Sequence, residues 1–282
     1  MQKVLSEIEL KQLQQIELQI LRDFHAFCED NNLKYYLIGG ALLGCVRYGG
    51  FIPWDDDIDV AMPREDYECL QAIWRNKEIP GYFLQNEKTD PLFSRAIMKL
   101  RLNGTKIIEQ VDKDVQINRG IYIDIFPIDY ANYDNAEALK RREKRIRRIM
   151  SLRAIKCGYI NERYRPVKKM LKKFLALIPV TVFDNEIYRL STLDNGGSRE
   201  YMALYTHNYS LSKQIHKSAV FGRGTEKEFC GYKFYCPDDT NAFLSRVFGE
   251  DYLVEPPIED RRNPHNYIEL SFGCSNPRGG TY

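Results

Sequence analysis

Apolar residues recur every three or four positions at Leu5, Ile8, Leu13, Ile16, Ile20, Phe24 and Phe27, with polar residues between them. That period predicts an amphipathic helix over residues 5–28 with a polar outer face, ended by Asn31 and Asn32. The pattern then changes. LKYYLIGG is a continuous apolar run closed by Gly39-Gly40 and predicts a buried strand entering a turn. Residues 41–46 can begin a short helix, Gly49-Gly50 makes a loop, and Pro53-Trp54 leads into DDDIDVAM, which can alternate as a strand. A helix is predicted from Pro63-Arg64 through Tyr67, Leu70 and Trp74, stopping near Pro80-Gly81.

Two further stretches alternate. In 94–101, Arg95, Lys99 and Arg101 share one face; in 120–127, Tyr122, Asp124 and Phe126 oppose Ile121, Ile123 and Ile125. After Asn195-Gly196-Gly197 the pattern is mixed, with short strands expected around Val220 and at 232–236, a helix at 240–248, and a charged tail after Pro256-Pro257. These elements predict an α+β fold with a mixed sheet and flanking helices. Three regions follow from them: 1–130 as the core, 131–198 as a basic helical segment, and 199–282 as a region completing the fold.

Charge alters the picture in one place. The whole chain carries +2, but residues 140–173 hold fifteen Lys and Arg against Glu143 and Glu162. Within that segment Val167, Met170, Leu171, Phe174, Leu175 and Ile178 form an apolar stripe, with Lys168, Lys169, Lys172 and Lys173 opposite. Such a helix either packs on a partner or lies on an anionic membrane, and 140–173 is read as a peripheral membrane contact. No base-reading motif accompanies the charge, so nucleic acid is not an expected partner. The opening Met1–Leu10 is polar, no apolar run nears the roughly 20 residues that span a bilayer, and seven cysteines lack CxxC spacing. The expectation is a cytoplasmic protein with reduced thiols, peripheral at the inner face of the membrane.

The chemistry concentrates in GGALLGCVRYGGFIPWDDDIDVAMPREDYE, residues 39–68. In a strand, Asp57 and Asp59 would share a face, and neighbouring carboxylates are relieved by a hard cation. Asp124, on a later strand, could complete a metal site. Asp55 and Asp56 are weaker candidates that could simply fix the loop. Gly39 and Gly40 could admit a phosphate to the backbone, Arg47, Lys99 and Arg101 could contact it, and Trp54 and Tyr122 lie near the carboxylates in sequence. Each has a plain structural alternative: a turn, a solvated face, or core packing. His265, in NPHNYIEL, is left outside the site as a surface residue.

Taken together, the glycine pair, the carboxylates two apart and the later carboxylate resemble polymerase-β-type nucleotidyltransferases. The runs LLGCVRYGGFIPWDDDIDVAMPREDYE, GIYIDIFPID and FGEDYLVEPP narrow the resemblance to the LicD family of phosphocholine transferases, with fukutin-related proteins more distant. Tyr48 stands where relatives often carry His. The resemblance implies Mg²⁺, or Mn²⁺ in its place, held by Asp57, Asp59 and Asp124. It implies transfer of phosphocholine from CDP-choline, or a related CDP-activated donor, to a sugar hydroxyl of a glycan or lipid-linked glycan (a teichoic acid or lipopolysaccharide precursor), with release of CMP. Rival readings keep the site and change the chemistry: transfer of ribitol or glycerol phosphate, or nucleotidyl transfer releasing pyrophosphate. An inactive glycan-binding module is disfavoured, because three clustered carboxylates without a cation would only repel.

Overall fold

Ser6 accepts a hydrogen bond from the Glu9 amide while the Glu9 carboxylate reaches back to the Ser6 amide, and this reciprocal cap starts α1 (Glu7–Asp30). The computed structural model describes residues 5–160, 165–261, 263 and 265–273. The predicted apolar strand is only β1 (Tyr36–Leu37). Gly39, at φ +56°, turns the chain at once into α2 (Gly39–Tyr48), so the glycine pair forms the first turn of that helix rather than preceding it. β2 (Asp59–Pro63) begins at Asp59, leaving Asp55–Ile58 outside the strand. α3 (Arg64–Trp74) follows the predicted period.

Next come β3 (Tyr82–Gln85), β4 (Met98–Leu102), β5 (Lys106–Glu109) and β6 (Ile121–Ala131). The alternation read from residue 94 is therefore paired only from Met98 onward. The basic segment folds as α4 (Ala136–Cys157) and α5 (Arg165–Leu175), followed by α6 (Val180–Ser191). β7 (Tyr201–Ala203), α7 (Leu211–Gln214), β8 (Ile215–Lys217), α8 (Ser218–Phe221), β9 (Thr225–Phe229), β10 (Tyr232–Cys236), α9 (Thr240–Phe248) and β11 (Tyr267–Ser271) complete the described chain. Around Val220 the chain is helical, contrary to the expected strand. The β9–β10 hairpin pairs Cys236 with Thr225, so Cys230 and Cys236 do not oppose each other.

One mixed sheet holds the fold in the order β1-β2-β6-β4-β3, extended by β7 and β8 from the far end of β6. β2 runs parallel to β6, and the other pairs are antiparallel. β6 is buried on nearly every residue because α1 and α3 pack against it, so its alternation separates two buried faces rather than a core face from water. The C-terminal region contributes strands to this same sheet, and β11 pairs with β5, bringing residues near 265 back to the core. Among the described residues no helix is long and apolar enough to cross a membrane.

Candidate active site

Strand register places the chemistry. Asp59 on β2 lies opposite Asp124 on β6, Asp124 opposite Lys99 on β4, and Lys99 opposite Gln85 on β3. Neighbours across paired strands lie roughly 4.5–5.5 Å apart, so this row joins two carboxylates and an ammonium on one face. Lys99 Nζ sits 2.8 Å from Asp124 Oδ1. The contact has an ion pair's distance but a poor hydrogen-bond direction, and both atoms lack a hydrogen-bond partner. Burial pulls the Lys99 ammonium down to about 8 despite Asp124 beside it.

Asp55 and Asp57 crowd the same place from the segment before β2, and Glu17 of α1 is buried against them. Burial, followed by the neighbouring carboxylates, pushes Asp59, Asp55 and Glu17 well above the usual carboxylate range. Asp57 rises to about 6, first through burial, with His265 opposing the shift. The first turn of α2 adjoins this cluster. A Cβ on Gly39 would meet Asp59 Oδ2 at 3.1 Å, and one on Gly40 would collide with the Asp55 carboxylate. The close approach that requires glycine is thus made by carboxylates.

The remaining predicted residues divide. Arg47 donates to the Tyr252 and Val254 carbonyls and ties α2 to the FGEDYLVEPP segment. Arg101 is buried, donating to Gln85 Oε1 and the Gly120 carbonyl at 2.6 Å each. Tyr122 is buried as well, its hydroxyl bonded to Glu109 and its ring covered by Lys99, 3.1 Å from the centroid. These three side chains are each held by contacts within the fold. Trp54 is half-buried, edge-on to Tyr48, with the Arg261 guanidinium 5.2 Å above it.

His265, Tyr267, His207 and Tyr209 reach the site without having been expected there. Pairing of β11 with β5 sets His265 Nδ1 2.9 Å from Asp56 Oδ1, and the Tyr267 hydroxyl also donates to Asp56. Burial opposes a charge on His265, but the bond to Asp56 and the charges of Asp57, Asp56 and Glu109 lift it to about 9. Asp56 therefore anchors a cation beside the cluster. Tyr209, 42 % exposed, stacks on His207 at 5.0 Å, and His207 lies against Phe126, two residues along the Asp124 face. No local 3.6 or 2.0 period marks these residues, because His207, Tyr209 and His265 lie outside helices and strands and Tyr267 reaches Asp56 from 211 residues away.

A divalent cation fits this donor set. The oxygens are hard, they outnumber the nearby positive charges, and Glu17 Oε2 and Asp124 Oδ1 are buried without a hydrogen bond. Among the described residues, Asp56, Asp57 and His265 offer donor atoms within 4.8 Å of one another. His265 would have to release its proton to serve as a ligand there, so its charge suits a counter-ion better.

Comparison with known proteins accords with this geometry. Residues 32–148 match the family described as LicD/FKTN/FKRP, nucleotidyltransferase domain. The lipopolysaccharide cholinephosphotransferase LicD of Haemophilus influenzae is 26 % identical over 94 % of this chain and 98 % of its own. An uncharacterised protein of Rickettsia prowazekii is 41 % identical over 25 % of this chain and 26 % of its own. The human ribitol 5-phosphate transferase FKRP is 47 % identical over 14 % of this chain and 8 % of its own. The matched segment, residues 32–148, contains the glycine turn, Asp57, Asp59, Lys99 and Asp124, and it is this segment that is similar to the LicD/FKTN/FKRP nucleotidyltransferase domain.

Proposed function

We propose that this chain, a phosphotransferase acting on glycans, moves phosphocholine from CDP-choline to a sugar hydroxyl and releases CMP. The carrying observation is the convergence of Asp55, Asp57, Asp59 and Asp124 at the first turn of α2, a helix start whose Ile38 cap supplies no side-chain acceptor. Amides at such a start favour a diphosphate. A divalent cation held by Asp57 and Asp59 would draw charge from the phosphate oxygens.

The chain's own groups do the rest. The acceptor oxygen bonds to the phosphorus bearing choline, the bond from that phosphorus to the bridging oxygen breaks, and CMP leaves with the electron pair. Asp124 takes the hydroxyl proton, and Lys99, 2.8 Å away, steadies its charge. The Phe126–His207–Tyr209 stack gives a quaternary ammonium an aromatic face within the field of the carboxylates. Similarity to a cholinephosphotransferase along nearly the whole chain supports choline, whereas the ribitol phosphate transferase matches only a short segment.

The test is a donor panel. Purified protein with Mg²⁺ and a glycan acceptor receives CDP-choline, CDP-ribitol or ATP separately. Acceptor-dependent CMP from CDP-choline is expected. CMP from CDP-ribitol alone would replace the donor, and pyrophosphate from ATP without CMP from any donor would overturn the reaction.

A further inference from the structure

We propose that the outer face of α5 and the turn leading into α6 docks on an anionic lipid bilayer. The sequence places an apolar stripe and lysines on α5 but leaves open whether the stripe packs inward. In the structure it faces out. α5 buries only Leu175, while Val167 and Met170 are each 57 % exposed, Phe174 68 % and Leu177, on the turn, 88 %. Large apolar side chains aligned toward water mark a surface that something covers. The helix is also fixed in that orientation, because Lys156 Nζ of α4 donates to the Leu175 and Ala176 carbonyls at 3.0 and 3.3 Å.

The charge around the stripe indicates what covers it. From Arg165 to Phe183 the chain has five cations and no acid. Helical spacing sets Lys168 and Lys173 on the two flanks of the stripe, with Lys169 and Lys172 opposite it. Behind the helix lies a cleft of about 510 Å³ whose lining includes Lys156, Arg165, Lys169 and Lys172, with Asp114 as its acid. α4 differs: Arg142, Arg145 and Arg153 pair with Asp194, Glu186 and Asp184, so much of the positive charge of 140–157 is neutralised internally.

A second copy of the chain fits this face poorly. Two-fold pairing would set α5 against α5 and bring the lysine flanks together without an acid from 165–183 between them. A bilayer of anionic lipid supplies both an apolar layer for Phe174 and Leu177 and headgroup charge for the flanking lysines. Docking of this kind needs neither donor nor acceptor, so it stands or falls separately from the reaction.

The full chain is floated with phosphatidylcholine vesicles with and without phosphatidylglycerol, at rising salt. Binding is expected only with phosphatidylglycerol, weakening as salt screens the lysines. Phe174→Ser with Leu177→Ser should lower binding by about tenfold or more, and Lys173→Gln separately by about fivefold. Thermal melts of both variants should match wild type, because these side chains are exposed. If a variant does not fold, the lipid and salt dependence of the wild-type protein decides. Equal binding to neutral vesicles, no binding to anionic ones, or unchanged binding by folded variants overturns the proposal. So does a wild-type dimer that ignores vesicles and that the Phe174→Ser/Leu177→Ser variant dissolves.

Discussion

Neutralising Asp57 should make the cation-free protein more stable. Its carboxyl moves from 3.8 to about 6, chiefly through burial. Two units at ~1.36 kcal/mol each set an upper bound of roughly 3 kcal/mol for keeping Asp57 ionised. Solvent reaches 21 % of the side chain, which reduces the expected gain from Asp57→Asn to about 1–2 kcal/mol. For a chain of this size that is a melting-temperature rise of about 3–6 °C. A carboxyl whose folded value is raised contributes stability that is present below its unfolded value and lost as pH climbs through the folded one. The gap between variant and wild type should therefore be small near pH 4 and open as pH passes about 6, measured in chelator by scanning calorimetry. Adding Mg²⁺ should stabilise wild type more than the variant, because the cation needs the ionised carboxylate. A variant less stable than wild type in chelator at pH 8, or a gap that fails to grow with pH, would refute the reasoning.

Four further outcomes are expected. Asp59→Asn should lower kcat by about 10³-fold or more with its melt preserved, read as acceptor-dependent CMP release; near-normal turnover would remove Asp59 from the site. Gly40→Ala should drive the Asp55 carboxylate aside and cut kcat/KM by about tenfold or more, since a misplaced group near the reacting atoms is costly. Lys99→Met should destabilise by roughly 3–5 kcal/mol in urea unfolding, because it leaves Asp124 buried without its ammonium; a loss below about 1 kcal/mol would mean the pair is not needed. Tyr209→Ala should raise KM for CDP-choline with little change in kcat, and an unchanged KM would place choline elsewhere.

Local pattern carried the helices and the central strand. The 3.6-residue period of α1, α3 and α9 survives in the structure because one face of each is buried by its neighbours, whereas the alternation of β6 survives as two faces that are both buried. The glycine pair and the carboxylates were visible as a cluster, but their arrangement was not. DDDIDVAM predicts Asp57 and Asp59 on one strand face, whereas β2 starts at Asp59 and brings it to Asp124, 65 residues later, through parallel pairing. No local period encodes that register. The same limit hid His265, which reaches Asp56 only because β11 adds to β5, and Tyr209, which arrives on a loop after β7. The basic faces of 94–101 were legible as charge but not as purpose: Lys99 and Arg101 point into the core, where carboxylates and carbonyls meet them.

The most direct test of the central claim is anomalous diffraction from crystals soaked with Mn²⁺ and CDP-choline. An anomalous peak bound by Asp57 and Asp59 is expected, with the diphosphate on the Gly39–Gly40 amides and choline toward Tyr209. A peak held by Asp56 and His265 with the donor elsewhere, or a bound donor with no cation among these carboxylates, would contradict it.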